Sequence, residues 1–251
     1  MNRPLFLAIV LGFTLGAIVA CTSTEARYGP GWMFPTQQRG SGVFDSLQRE
    51  FDGEAFERFE VDGSLEVAFA VDSSLSRTVV TVEGDDDLIG KVRIEDRGTM
   101  LFIAPLSGDL RPVAGLRVLV RAPRSVQAAI LRGSGELVLE GFEGGRLAMD
   151  LYGSGDLVAR GRVDELSVRL HGSGSVQLAE LESSRSEVEL MGSGEVQIVA
   201  RQQLVADVRG SGEVGVVGDP EDWSWDVFGS GQVHFWDSGS AAAIEASATR
   251  E

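Results

Sequence analysis

Met149-Asp150-Leu151-Tyr152-Gly153-Ser154-Gly155-Asp156-Leu157-Val158-Ala159 carries the pattern that decides the fold. Apolar residues at 149, 151, 157 and 159 stand two apart on either side of a Gly-Ser-Gly corner, and apolar residues at period two mark a strand that buries one face. The tripeptide returns at Gly133, Gly172, Gly192, Gly210 and Gly229, so that successive corners lie 20, 19, 20, 18 and 19 residues apart. A fixed period near 20 is the signature of a repeat architecture, in which one unit cannot cover its own apolar face and stacks on its neighbours to do so.

Every corner keeps the apolar register. Two residues before its first Gly stand Leu131, Leu151, Leu170, Leu190, Val208 and Val227, and two further back Ala129, Met149, Val168, Val188, Ala206 and Trp225. After the corner, Leu137, Leu157, Val176, Val196, Val214 and Val233 form one column and Leu139, Ala159, Leu178, Ile198, Val216 and Phe235 the next. Each unit is therefore strand, corner, strand and return loop, in an all-β chain. Two arrangements satisfy this: a β-helix-like stack of 19–20-residue coils, or an antiparallel β meander with the corners as hairpin loops. Phe142, Val163 and Leu181 in the return segments supply apolar residues for a third wall, which favours the β-helix.

The stretch from Phe56 to Trp236 resembles the head GIN domain family, described as auto-transporter adhesins of the bacterial cell envelope. The likeness is carried by Phe59-Glu60-Val61-Asp62-Gly63 with Leu65 to Val71, by Val80-Thr81-Val82-Glu83-Gly84 and Leu88-Ile89, and by Leu116 to Ala122 leading through Ser125 and Leu131 into the six corners. The resemblance implies a right-handed β-helix-like fold and a binding or adhesive role, and it brings no catalytic residues.

Four segments follow. Residues 1–21 read as a lipoprotein signal: Arg3, an apolar run from Leu5 to Ala17, and Ile18-Val19-Ala20-Cys21, which resembles a lipobox, with Cys21 the only cysteine of the chain. Residues 22–55 are rich in Gly, Pro, Ser and Gln and read as a flexible tether. Residues 56–238 make the β domain, its first strands expected at Leu65 to Val71, Thr78 to Val82, Val92 to Ile94, Met100 to Ile103 and Leu116 to Val120. Residues 239–251 read as a frayed tail, with Trp223, Trp225, Phe228, Phe235 and Trp236 capping the last coil before it.

The formal net charge of −16, with Lys91 the single lysine, leaves no basic stripe for phosphate contacts and argues against nucleic acid as a partner. No catalytic constellation, metal-ligand spacing or cofactor motif stands out, and an enzyme is not expected. His171 and His234 belong to outward positions. Asp85 to Asp87 lack the spacing of a calcium loop and read as a solvated turn. Glu136, Asp156, Ser175, Glu195, Glu213 and Gln232, one after each corner, form an acidic column that a cation could bridge, with solvated carboxylates as the default reading.

The candidate ligand face is the outward side of the strands approaching the corners. One column reads Arg132, Tyr152, His171, Met191, Arg209 and Phe228, and its neighbour reads Ile130, Asp150, Arg169, Glu189, Asp207 and Asp226. Aromatic rings beside Arg and carboxylates suit glycan stacking or a polar protein interface. The opposite flank offers an apolar stripe, Val138, Val158, Val199, Val217 and Trp236. The reading is an exported lipoprotein, held in the outer membrane or at the cell surface through acylated Cys21, that binds a glycan or an envelope protein. The alternatives are a polysaccharide-active β-helix enzyme using Asp150, Arg169, Glu189 and Asp207, and a structural or assembly lipoprotein of the envelope. The sequence leaves the oligomeric state open.

Overall fold

The computed structural model describes residues 38–51, 56–106, 108, 110–236 and 243–245. The signal segment with Cys21, residues 22–37 of the expected tether, and most of the expected tail lie outside them. Among the described residues no helix is long and apolar enough to cross a membrane.

The repeats stack in parallel, as a β-solenoid of about 5 turns. Residues 128–133 lie on residues 148–153, those on 167–172, and so on through 187–192, 205–210 and 224–229, always with corner glycine beside corner glycine. The strands leaving the corners form a second parallel ladder, from Glu66–Val71 through Glu136–Glu143 to Gln232–Trp236. This excludes the meander, which would pair neighbouring units antiparallel. The strands Asp156–Gly172, Ser175–Gly192 and Glu195–Gly210 run on through the return segments, so the third wall exists, and Phe142, Val163 and Leu181 are buried in it.

The four inward columns are sealed through the middle of the stack, where Leu137, Leu151, Leu170, Leu190 and Ile198 have no accessible surface. Burial of a side chain of this size contributes about 1.5–3 kcal/mol, and each rests on its equivalent in the coils above and below. The corners explain why Gly opens each one. At Gly172 φ is +138°, and a Cβ there would lie 2.1 Å from the carbonyl oxygen of Gly153 in the preceding coil. That oxygen accepts the N–H of Ser173 at 3.0 Å, so backbone packs directly on backbone. A seventh corner precedes the six: Gly63-Ser64-Leu65 pairs below Gly133, and Gly63 also has positive φ.

The coil from Arg58 to Val71 is followed by an insertion that builds the end of the stack. Met100–Pro105 and Leu116–Ala122 add one further parallel rung to the two ladders. Thr78–Asp85 then pairs antiparallel with residues 116–121, Val92–Asp96 with Met100–Pro105, and Phe44–Phe51 with Thr78–Asp85. All five strands expected here form. The tether expected over 22–55 is corrected over its last part: Phe44–Phe51 is an eight-residue edge strand, not a flexible coil. Its Leu47 and Phe51 pack on the core while its other side chains meet solvent, and the charges among them blunt an edge that would otherwise invite pairing. Gln38–Arg39 pairs with Leu110–Arg111 in a separate two-stranded ribbon. At the far end Ala243–Glu245 pairs antiparallel with residues 234–236, so the tail expected over 239–251 contains a strand. Trp223, Trp225 and Phe235 lie ring on ring across the last coil, as expected of a cap.

The Asp run is also corrected. Asp85 is fully buried; its carboxylate accepts the backbone N–H of Gly42, of Val113 at 2.6 Å and of Ala114 at 3.1 Å. Three converging donors satisfy a charge that would otherwise be costly to bury. Asp86 and Asp87 begin a one-turn helix, Asp86–Ile89, and accept the hydroxyl and N–H of Ser41.

Charges on the third wall alternate in sign from coil to coil. Glu165 lies between Arg146 and Arg185, Glu182 between Arg162 and Arg201, and Arg160 between Glu140 and Glu180. Hydrogen bonds from Arg146 and then Arg185 hold the Glu165 carboxyl below its usual range, and those from Arg201 and Arg162 do the same for Glu182. A coil displaced by one rung would bring like charges together, so the alternation favours the observed coil order.

Candidate functional site

The two outward columns before the corners are neighbours in space, rung on rung. Asp62, Arg132, Tyr152, His171, Met191, Arg209 and Phe228 follow one another along the stack, and so do Ile130, Asp150, Arg169, Glu189, Asp207 and Asp226. Period two places them on the face opposite the buried Leu columns, and parallel register sets successive members about 4.8 Å apart.

Side chains on this face are already partnered. The Arg132 guanidinium lies 4.7 Å from the centre of the Tyr152 ring and pairs with Glu60 at 3.1 Å. Tyr152 stacks on His171 with ring centres 5.1 Å apart and an angle of 15°. Arg169 lies between Asp150 at 3.6 Å and Glu189 at 3.7 Å, and Arg209 grips Asp207 through Nε and Nη2 at 3.0 and 2.8 Å. Burial, with Glu60 beside it, pushes the Asp62 carboxyl above its usual range, against the pull of Arg132. Ile130 is buried and takes no part in the surface, whereas Phe228 is 63% exposed.

Arg132, Tyr152, His171, Arg209, Asp150, Arg169, Glu189 and Asp207 therefore share one ordered face. The face presents aromatic rings, guanidinium donors and carboxylate acceptors, ordered by their contacts with one another. The acidic column after the corners is also in register, Glu136 on Asp156 on Ser175 on Glu195 on Glu213 on Gln232. No group of three or more potential metal ligands forms among the described residues. Glu213 instead faces His234 at 3.4 Å.

Two features differ from the sequence reading. The apolar stripe of the opposite flank is not one column: Val138 and Val158 align with Gln177, Gln197, Gly215 and His234, whereas Val199 aligns with Val217 and Trp236. Val199 is buried besides, so no continuous apolar stripe exists there. Next to the candidate face, on the same sheet, is a shallow groove of about 440 Å³. Small residues, Ala148 and Ser167, sit between Arg169 on one side and the Arg146–Glu165–Arg185 triad on the other. Counting five and seven residues back from each corner, rather than one and three, would have found it.

A family model described as "Putative auto-transporter adhesin, head GIN domain" matches residues 55–220. The fold is similar to crystal structures of three proteins described as putative adhesins. That from Bacteroides fragilis has a TM-score of 0.62 and 16% identity over 79% of this chain and 99% of the other. That from Parabacteroides merdae has 0.52 and 14% over 80% and 99%, and that from Parabacteroides distasonis 0.50 and 17% over 80% and 100%. Identities this low establish a shared fold. No curated protein matches the chain.

Proposed function

The chain belongs to the head GIN domain family of the description "Putative auto-transporter adhesin", and we propose that it is a lipid-anchored binding or adhesion domain of the cell envelope, without catalytic activity. The observation that carries this reading is the ordered aromatic and cationic face, above all Arg132, Tyr152 and His171 stacked one on the next at 4.7 and 5.1 Å. Rigid aromatic surface beside hydrogen-bonding side chains is what a sugar ring or a polar protein patch requires. Arg169, Asp150, Glu189, Asp207 and Arg209 give the hydrogen-bonding part of the site. Acylation of Cys21 holds the domain to the outer membrane; one acyl chain gives marginal binding and several make it stable.

The test is adhesion of cells that carry the full chain to glycan-coated and protein-coated surfaces. Tyr152→Ala with Arg209→Ala should reduce attachment several-fold while the melting temperature of the protein holds. Attachment that survives the double change, or that is lost instead on Val158→Asp, overturns the assignment of the binding face.

A further inference from the structure

Among the described residues, large apolar side chains exposed to solvent lie at the two ends of the stack. At one end are Val205, Trp223, Phe228 and Trp236, on the last coils; at the other are Val43, Phe44, Leu106 and Val113, each between 55% and 63% exposed. Backbone contacts gather the second set into a single surface. Gly42 and Val113 both donate to Asp85, and a Cβ on Gly42 would lie 3.4 Å from the Val113 side chain. Asp86 donates to the carbonyl of Val43, Leu106 to that of Lys91, and Gly40 to that of Arg111, each at 2.8 Å. The same surface brings together two cations, Arg39 and Arg111. Arg39 and Arg111 stand side by side in parallel register and, with Pro112 and Val113, line a cavity of about 560 Å³. Neither makes an ion pair among the described residues, whereas Arg132, Arg146, Arg160, Arg162, Arg169 and Arg209 on the coils all do.

This surface is also where the chain enters the domain. Sixteen residues separate Cys21 from Gln38, a coil of roughly 20 Å that reaches at most ~55 Å when stretched. We propose that the surface formed by Val43, Phe44, Leu106 and Val113 with Arg39 and Arg111 rests on the phospholipid bilayer to which Cys21 is anchored, the apolar side chains entering the headgroup region and the two guanidinium groups meeting lipid phosphates. Apolar side chains ringed by Arg are suited to that depth of a bilayer, and guanidinium pairs with phosphate through parallel N–H donors. Asp45, Asp86 and Asp87 lie close by; the latter two accept hydrogen bonds from Ser41, and contact therefore depends on insertion of the apolar groups as well as on charge. Such docking stands the stack on its first rungs and turns the last coils away from the membrane. It rests on the acylation of Cys21 proposed above.

The test uses the full chain carrying Val113→Cys, isolated from membranes, reconstituted into vesicles of phosphatidylethanolamine and phosphatidylglycerol, and labelled with a polarity-sensitive thiol dye. Acylation blocks Cys21, so each chain takes one dye. The dye at 113 should shift to the blue and be quenched by brominated lipid, the same dye on Ser173→Cys at an exposed corner should do neither, and Arg39→Glu with Arg111→Glu should abolish the shift at 113 with the melting temperature retained. One dye per chain with identical spectra at 113 and 173 overturns the docking while leaving the anchor intact. Two dyes per chain, with protein lost from the vesicles, overturns the anchor and the docking together.

Discussion

Replacing Gly172 by Ala probes the element on which the whole stack depends. The added Cβ would sit 2.1 Å from the Gly153 carbonyl oxygen and 2.9 Å from its carbon, so the two coils must part by about 1 Å to reach ordinary contact. Parting them weakens the 3.0 Å bond from Ser173 N–H to that same oxygen, which contributes about 0.5–1.5 kcal/mol. Holding a residue with a Cβ at the φ of +138° seen here costs a further ~1–3 kcal/mol. The sum is about 3 kcal/mol, or on the order of 10 °C in melting temperature for a domain of this size. Ser173→Ala is the control: its hydroxyl is exposed and makes no hydrogen bond among the described residues, and the change should stay within about 0.5 kcal/mol. Thermal and urea unfolding of both variants, followed by circular dichroism, gives the comparison. A Ser173→Ala variant that melts as low as Gly172→Ala would refute the claim that backbone contact between glycines holds the coils together.

Two further outcomes follow from the charges. Because Glu165 and Glu182 titrate below the ordinary value of 4.5 in the folded protein, their contribution is complete above about pH 4.5 and is lost as pH falls through the lowered folded values. The melting-temperature gap between the wild-type chain and Glu165→Gln with Glu182→Gln should be constant from neutral pH to about 5 and then close in acid; a gap that persists at pH 2 contradicts the pairing. Asp85→Ala removes the acceptor shared by the N–H groups of Gly42, Val113 and Ala114, and three hydrogen bonds at about 0.5–1.5 kcal/mol each give a loss of about 1.5–4.5 kcal/mol. Hydrogen exchange should then rise in residues 40–51 and 113–114 and stay slow in the middle coils, and uniform exchange along the chain would show that Asp85 does not act locally.

Most of the stack was legible because its period is carried by two strong signals: Gly at φ values other residues avoid, and an apolar residue wherever a side chain meets the axis. The first corner was harder to see, since Gly63-Ser64-Leu65 has Leu where the others have Gly, and only the pairing of Gly63 with Gly133 reveals it. Phe44–Phe51 escaped because an edge strand buries one face in part; Arg49 stands in its inward register opposite Val80, between Leu47 and Phe51, and masks the alternation. Asp85 to Asp87 look like any solvated turn until residues far along the chain are known to supply Asp85 with donors. The alignment of the candidate face was legible because each column was counted back from a corner, over a strand without bulges. Counting forward failed because Val138 and Val158 stand five residues after the first Gly of their corners and Val199, Val217 and Trp236 seven, so the two sets belong to different columns. The groove beside Arg146, Glu165 and Arg185 was missed because its floor is Ala148 and Ser167, residues that carry no chemical signal of their own.

An adhesive face must be outside the cell, and this separates adhesion from a role in envelope assembly. Protease added to intact cells that display the full chain, with fragments identified by mass spectrometry and a periplasmic protein as the control for lysis, is the most direct measurement. The account predicts cleavage in intact cells, beginning in the return loops and the last coils, while the periplasmic control survives. A chain protected on intact cells and cut only after the outer membrane is opened would contradict it and place the binding face in the periplasm.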